Sequence, residues 1–286
     1  MCGLFGFACN KPTKALYRMA TEVMIETEER GPHATGHAYF DARGRIQTKK
    51  APIPASEYVL TGRWNWMKRG MPSRLLGHCR FTTQGSETDN KNNHPHVGER
   101  YALTHNGTLK KYEYNPWKEL CTTECDSEAI LRVMELGQDT RKAVQRVFNC
   151  FYDSNFAVMA LDKKTQDLHF FRNPGRPLRV WRGTDFLVIG STEDILEKAF
   201  VSSFGISSAK VDGLEKWTPV SGTFYTVKKD LSVSKSELFD YTPAAPALPQ
   251  KVQQYGHYSL GSKGYGKPSR VVNHDSSGNL VFDFDD

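Results

Sequence analysis

Short apolar runs recur along the first 240 or so residues and alternate with a few longer amphipathic segments. Runs of four to eight residues that are rich in β-branched and aromatic side chains are typical of strands. They predict strands at 3–8 (GLFGFA), 37–40 (HAYF), 75–81 (LLGHCRF), 101–107 (YALTHNG), 156–161 (FAVMAL), 167–171 (DLHFF), 178–181 (LRVW), 185–190 (DFLVIG) and 223–227. Because the four runs between 156 and 190 follow one another closely, we expect them to lie in one sheet.

Helical spacing of apolar residues predicts α-helices between those runs. Residues 14–29 carry apolar side chains at i, i+3 and i+4, and Gly31-Pro32 ends the segment. Further helices are predicted over residues 127–136, 141–150 and 194–202. Many strands accompanied by a few helices favour an α+β domain in which helices cover the sheets.

The pattern changes at Tyr241, where a segment rich in Pro, Gly and Ser begins. It has no hydrophobic period that could bury a face, so we predict a folded domain over 1–241 and a flexible tail over 242–286. A solubilising tail is the simpler interpretation. The alternative is a basic, aromatic segment that stacks on single-stranded nucleic acid, through Tyr255, Tyr258, Lys263, Tyr265, Lys267 and Arg270.

Composition excludes several protein classes. The chain of 286 residues has 38% hydrophobic residues and a mean hydropathy of −0.55, and no apolar run approaches the roughly 18 residues of a membrane helix. The start, MCGLFGFACNKP, has no secretory pattern, so we expect a cytoplasmic protein that does not bind membranes. The net charge of +6 is spread along the chain and favours no particular partner.

The six cysteines do not form a disulfide framework by number or spacing, and we expect reduced thiols. Cys121 and Cys125 are the closest pair, but they lack the CxxC spacing and have no His or Cys partner set nearby in the sequence. We therefore predict no zinc site.

Four short motifs carry chemistry. Cys2 follows the initiator methionine, whose removal would leave a thiol and a free α-amine on one residue, with an amine pKa near 8 that suits a general base. Arg80, in GHCRFTTQG (77–85), ends a strand and suits bidentate capture of a carboxylate. In THNGT (104–108), Asn106 and Gly107 can donate hydrogen bonds to one oxyanion. Asp126, in CDSEAI (125–130), begins a helix.

Each motif alone has an ordinary structural explanation: an incidental cysteine, a surface arginine, an Asn-Gly turn and a helix cap. In this order and combination, they resemble the class II glutamine amidotransferases. The resemblance runs from Cys2 to about residue 230 and implies a four-layer αββα sandwich of two antiparallel sheets, with an N-terminal nucleophile. It implies that glutamine is the substrate and that Cys2 attacks its side-chain amide. We predict no cofactor and no metal in the site.

The same resemblance implies a role for each remaining site residue. Arg80 would hold the α-carboxylate of glutamine with Thr83 beside it, and Asp126 would pair with the α-ammonium group. Asn106 and Gly107 would form the oxyanion hole. The segment NNHPH (92–96) matches the family's N-x-H-P-H loop, and we expect its histidines to be structural. The chain departs from the family pattern by having His33 in place of Asp, and Phe81 and Gln84 in place of the commoner Trp and His.

An amidotransferase also needs a synthase that receives the ammonia. The sequence contains no SGGxDS loop, no phosphoribosyl-binding signature and no Walker motif, so we expect the synthase to be a separate chain. One alternative is a stand-alone hydrolase of γ-glutamyl peptides or metabolites. A second is an inactive binding module that uses its basic, tyrosine-rich tail, although the complete set of site residues argues against it.

Overall fold

A computed structural model describes residues 1–239, 273–274 and 280–281. The chain divides into two units, Met1–Tyr241 and Thr242–Asp286. In the second unit, the described residues are two short strands that pair with each other in antiparallel orientation. The tyrosines and basic residues of the predicted tail lie outside the described residues, so both interpretations of the tail remain predictions.

The described residues form fifteen strands and seven α-helices. The strands are β1 (Gly3–Cys9), β2 (Ala34–Phe40), β3 (Ile46–Ala51), β4 (Arg74–Arg80), β5 (His96–Val97), β6 (Tyr101–Thr108), β7 (Asn155–Asp162), β8 (Leu168–Arg172), β9 (Arg179–Arg182), β10 (Phe186–Gly190), β11 (Glu215–Trp217), β12 (Thr223–Val227), β13 (Val233–Glu237), β14 (Asn273–His274) and β15 (Leu280–Val281). The helices are α1 (Lys14–Thr27), α2 (Ala55–Tyr58), α3 (Gly62–Gly70), α4 (Lys111–Tyr114), α5 (Ser127–Glu135), α6 (Thr140–Cys150) and α7 (Glu193–Phe204).

Two large sheets contain most of these strands. One has the order β11-β9-β10-β1-β4-β2-β3 and the other has the order β13-β12-β8-β7-β6-β5. Every pairing in both sheets is antiparallel.

The expectation that the four runs between 156 and 190 share a sheet is wrong. β7 and β8 belong to the six-stranded sheet, whereas β9 and β10 belong to the seven-stranded sheet. The connection between β8 and β9 is NPGRPL (173–178), whose two prolines disfavour a tight hairpin. Six extended residues reach about 20 Å, enough to cross the roughly 10 Å between stacked sheets.

Three apolar cores separate four layers, as the family resemblance implies. One core lies between the seven-stranded sheet and the helices α1 and α7, and a second lies between the six-stranded sheet and the helices α5 and α6. The third contains residues of both sheets. β1 shows the alternation that makes this possible, because Phe5 and Phe7 enter the helix-side core while Leu4 and Ala8 enter the core between the sheets. The α+β sandwich is therefore confirmed.

Helix α1 illustrates how local sequence sets an element. Thr13 caps it by accepting a hydrogen bond from the Leu16 amide at 3.2 Å. The predicted apolar stripe is buried, and the helix ends at Thr27 before a single 3₁₀ turn that reaches Arg30. No helix in the described part of the chain is both long and apolar enough to cross a membrane.

Strand register brings two of the chemical motifs together. Gly3 of β1 pairs with Cys79 of β4, so continuing the antiparallel register places Cys2 opposite Arg80. β6, which carries Asn106, packs against β1 and β4 from the other sheet. The fold thus places one strand end from each sheet near the start of the chain.

Candidate active site

Cys2 is held at the edge of the seven-stranded sheet. Its Sγ lies 3.4 Å from the backbone nitrogen and 3.5 Å from the carbonyl oxygen of Phe81, and the residue is half-buried. Burial raises the pKa of the thiol. The Phe81 hydrogen bond, the chain-terminal ammonium and Arg80 oppose that shift, whereas Asp126 adds to it. Because the pKa of the thiol is raised overall, thiolate formation here needs a base. The charges of Arg80 and Asp126 both influence the sulfur.

Met1 lies against two arginine side chains. Its thioether lies 3.9 Å from Nη2 of Arg30 and 3.7 Å from Nη1 of Arg176, while the residue is 63% exposed. The Nε of Arg30 donates to the carbonyl oxygen of Cys2 at 3.1 Å, which fixes the backbone of the nucleophile candidate. Removal of Met1 would therefore break these contacts and leave the α-amine on Cys2, whose carbonyl oxygen Arg30 holds.

Arg80 is not the surface arginine that its position at a strand end could have indicated. Only 3% of the residue is exposed, and Nη1 donates to Oδ1 of Asn93 at 2.7 Å. Nη2 donates to the carbonyl oxygens of Gln84 and Gly85, the latter at 2.9 Å. The guanidinium thus anchors both ends of the loop that follows β4. Thr83 lies in that loop and is exposed.

The departures at His33 and Phe81 preserve local hydrogen bonding. The Nδ1 of His33 accepts a hydrogen bond from the Thr82 amide at 3.0 Å, as a carboxylate oxygen could do at that position. The imidazole also packs against the Phe81 ring, with 4.8 Å between ring centroids. Gln84 contributes its backbone carbonyl to Arg80, a contact that does not depend on the side chain.

Asn106 and Gly107 lie within β6 and do not form an Asn-Gly turn. Asn106 is 1% exposed, and its Nδ2 has no hydrogen-bond partner among the described residues. Gly107 lies opposite Phe156 of β7, whose backbone N–H and C=O both bond to Asn173, so the Gly107 N–H points away from β7. A Cβ at Gly107 would lie 1.8 Å from the carbonyl oxygen of Asn155. The end of β6 therefore offers two neighbouring donors and requires glycine.

Asp126 occupies the N-cap position of α5, but its side chain does not cap the helix. Its Oδ2 accepts a hydrogen bond from the Leu109 amide at 2.8 Å, just beyond β6. The carboxylate is 4% exposed and links the start of α5 to the strand that carries Asn106. This bond orients a negative charge toward the same region as the positive charge of Arg80.

Glu128 fixes the first turn of α5. Its carboxylate accepts hydrogen bonds from the amides of Thr122 and Thr123 at 2.9 and 2.7 Å and from Nε of Arg132 at 3.1 Å. Burial alone would raise the pKa of Glu128, but these hydrogen bonds outweigh it and hold the pKa at about 2. Glu128 therefore stabilises the helix that positions Asp126.

The sequence did not point to several buried polar residues whose hydrogen bonds connect the elements that carry the site. Nε2 of His78 lies 3.0 Å from the carbonyl oxygen of His105, whose Nδ1 lies 2.8 Å from Oγ of Ser127. The Nζ of Lys50 donates to the carbonyl oxygen of Asn93 at 2.6 Å, and burial lowers its pKa to about 8. The available signal was a histidine inside each of two predicted strands, 75–81 and 101–107. For Lys50 there was no comparable signal.

The spacing of Cys121 and Cys125 predicts no zinc site, because no His or Cys partners stand near them in the sequence. In the fold, His94 and His96 of the NNHPH segment lie against Cys125, roughly thirty residues further on. The antiparallel pairing of β5 with β6 and the packing of α5 on both strands create this proximity. Spacing rules that require nearby ligands could not detect it.

Comparison with known proteins identifies a family for this arrangement. Residues 1–165 match the family model described as "Glutamine amidotransferases class-II". The chain is similar to glutamine–fructose-6-phosphate aminotransferase (isomerizing) of Gluconobacter oxydans, with 28% identity over 203 residues, which cover 67% of this chain and 32% of that protein. The enzyme of the same name from Sulfurisphaera tokodaii is 28% identical over 194 residues, covering 64% and 32%. The chain thus spans about a third of the length of these curated relatives.

Solved structures share the fold. Glutamine phosphoribosylpyrophosphate amidotransferase from B. subtilis superposes with a TM-score of 0.63 at 16% identity, covering 83% of this chain and 49% of that chain. A structure described as the allosteric regulatory enzyme of purine biosynthesis gives a TM-score of 0.61, also at 16% identity, with the same two coverages. At this identity, the likeness supports the αββα sandwich alone.

Proposed function

This chain belongs to the class II glutamine amidotransferases, and from that premise we propose that it hydrolyses the side-chain amide of glutamine through a thioester on Cys2. The products are glutamate and ammonia. The observation that carries the proposal is the Asn106 amide, a buried donor with no partner in the described part of the chain. An unpaired buried donor costs about 1–3 kcal/mol, and an oxyanion formed beside Cys2 would supply the acceptor.

The charges around Cys2 suit an α-amino acid. Arg80 lowers the pKa of the thiol and Asp126 raises it, so a positive and a negative group both act on the sulfur. The α-carboxylate of glutamine would bind Arg80, with Thr83 at the exposed rim, and the α-ammonium would bind Asp126. Two fixed points for the α-carbon leave the side-chain amide directed at Cys2.

The reaction requires the mature N-terminus. After Met1 is removed, the Cys2 α-amine takes the thiol proton, and the thiolate attacks the carboxamide carbon. Asn106 Nδ2–H and Gly107 N–H stabilise the resulting oxyanion. The C–N bond then breaks as the ammonium returns a proton to the leaving nitrogen, and ammonia departs. Water, deprotonated by the same amine, attacks the γ-glutamyl thioester, which releases glutamate and restores the thiol.

Replacement of Cys2 tests this proposal. Cys2→Ser should lower glutamine-dependent ammonia release at least about 10³-fold, because the nucleophile acts as a unit with its base. Cys150→Ser, which changes a half-buried cysteine on α6, serves as the matched control and should stay within about twofold of the parent. A Cys2→Ser chain that keeps a tenth or more of the activity would refute the assignment.

We further propose that the ammonia serves a synthase carried on another chain in the cytoplasm. The support is that the curated relatives, about a third of whose length this chain spans, are aminotransferases. Assays with glutamine and with a panel of γ-glutamyl peptides test the substrate. Preference for glutamine would support the amidotransferase proposal. Much faster hydrolysis of a γ-glutamyl peptide than of glutamine would instead support a stand-alone hydrolase.

A further inference from the structure

Three buried side chains converge beneath the loop that follows β4. His94 lies just before β5, His96 is the first residue of β5, and Cys125 directly precedes the N-cap of α5. Their imidazole nitrogens and thiol sulfur all lie within 4.8 Å of one another. The residues are only 3 to 4% exposed, so the group belongs to the interior.

The imidazoles in this cluster lack the partners that buried polar groups normally have. Within the described residues, both ring nitrogens of His94 lack a hydrogen-bond partner, and so does the Nε2 of His96. A neutral imidazole has one N–H donor and one lone pair, and leaving either of them unpaired in the interior is unfavourable. The sulfur of Cys125 lies 4.0 Å from Oδ1 of Asp126. Its thiol also receives hydrogen bonds from Ser127, which oppose the increase in pKa that burial causes. The two histidines therefore have unpaired ring nitrogens within 4.8 Å of the Cys125 sulfur.

We propose that His94, His96 and Cys125 bind one zinc ion. Two imidazoles and one thiolate are ligands that zinc prefers, at about 2.0–2.1 Å for nitrogen and about 2.3 Å for sulfur, and a fourth position can hold water. Binding forms one Zn–S and two Zn–N bonds and releases the thiol proton of Cys125 to solvent. The three donor atoms lie within 4.8 Å of one another, so small side-chain rotations would let them bind one ion.

The neighbouring charges are compatible with such an ion. Two cations, Lys50 and Arg80, lie close enough to influence the cluster. The Nζ of Lys50 donates to the carbonyl oxygens of Asn93 and Pro95, at 2.6 and 3.4 Å. The Arg80 guanidinium donates to the loop that follows β4. The first turn of α5 carries two carboxylates, Asp126 and Glu128. The Cys125 thiolate would reduce the charge of the bound ion to +1.

Zinc at this position would connect two parts of the proposed glutamine site. The His94–His96 segment follows Asn93, which accepts a hydrogen bond from Arg80. Cys125 precedes Asp126. One ion would thus connect two segments: the loop after β4, which holds Arg80, and the start of α5, which carries Asp126. The metal site itself does not depend on glutamine hydrolysis.

Cobalt titration of the untagged full-length chain tests the proposal. The parent should be a Cys2→Ser chain, because a Cys2 thiol and its amine could chelate metal themselves. We expect one Co²⁺ per chain, a thiolate-to-cobalt charge-transfer band, the strong visible absorption of a tetrahedral ion, and loss of both signals on addition of one equivalent of Zn²⁺. Absence of binding in this parent would overturn the proposal, whatever the variants show.

Two cysteine variants in the same background identify the sulfur ligand. Cys125→Ser should abolish the charge-transfer band, whereas Cys121→Ser, four residues earlier, should keep it. His96→Gln should weaken Co²⁺ binding at least about tenfold, since it removes a direct ligand. A charge-transfer band that survives in a folded Cys125→Ser chain, as judged by circular dichroism, would show that the ion binds elsewhere and would contradict the assignment.

Discussion

At the scale of single residues, the site depends on polar groups whose partners come from distant parts of the sequence. Five site residues could be selected from the sequence, because each stands in a short motif at the end or start of a predicted element. They are Cys2, Arg80, Asn106, Gly107 and Asp126. Their surroundings could not be predicted in the same way. For example, Asp126 accepts a hydrogen bond from the Leu109 amide and does not cap α5 with its side chain. This arrangement depends on a tertiary contact between segments that lie apart in the chain.

The Asn106 side chain is expected to act mainly in the transition state. Asn106→Ala should lower kcat for glutamine hydrolysis by about 10²–10³, equivalent to about 3–4 kcal/mol, while KM changes little. Steady-state kinetics of ammonia release provide the measurement. Asn149→Ala, an exposed position on α6, is the control and should leave kcat unchanged. An Asn106→Ala enzyme with the parental kcat would show that this amide does not stabilise the oxyanion.

The Asp126 carboxylate is expected to act mainly in substrate binding. Asp126→Asn retains an oxygen that can accept from the Leu109 amide but loses the negative charge, so KM for glutamine should rise by about tenfold or more with a smaller change in kcat. Asp139→Asn alters the residue that caps α6 through the Lys142 amide and should leave KM unchanged. If the two variants have the same KM, the ammonium-binding role of Asp126 is wrong.

At the scale of elements, strands with strong apolar runs and helices with a clear stripe could be predicted, and the exceptions have physical causes. β1, β4 and β6 appear within a residue or two of their predicted limits. β3 has the polar sequence IQTKKA because it is an edge strand of its sheet, and such a strand has no apolar run to detect. The change of sheet between β8 and β9 is invisible to periodicity, which reports a strand but not its neighbours.

Glu128, in the first turn of α5, makes the free energy of unfolding depend on pH. Its pKa is about 2 in the folded protein, compared with an ordinary value of 4.5. A depressed carboxyl pKa contributes stability above the unfolded value, and this contribution disappears as pH falls from about 4.5 toward 2. At about 1.4 kcal/mol per pKa unit, the contribution at neutral pH is about 3 kcal/mol.

Urea unfolding of Glu128→Gln measures this contribution. The variant should be about 2–3 kcal/mol less stable than the parent at pH 7, and the difference should shrink progressively as the pH is lowered below 4.5. Glu215→Gln, at an exposed position on β11, should match the parent at each pH. A Glu128→Gln deficit that is the same at pH 3 and pH 7 would contradict the depressed pKa.

At the scale of the whole molecule, all three apolar cores and both large sheets lie within residues 1–239. A chain shortened to residues 1–241 should therefore unfold cooperatively, with a Tm within a few degrees of the full chain, and should hydrolyse glutamine at a similar rate. Calorimetry and the ammonia assay on both lengths provide the comparison. A shortened chain that is unfolded or inactive would show that residues 242–286 are part of the functional domain.

The central claim is that Cys2, with its own free amine, is the nucleophile in a glutamine-shaped pocket. Intact mass measured before and after treatment with 6-diazo-5-oxo-norleucine, a reactive glutamine analogue, followed by peptide mapping, tests it most directly. The account predicts that Met1 is absent from the active protein and that one adduct forms, on Cys2. Retention of Met1 in an active chain, or an adduct on any of the other five cysteines in place of Cys2, would contradict it.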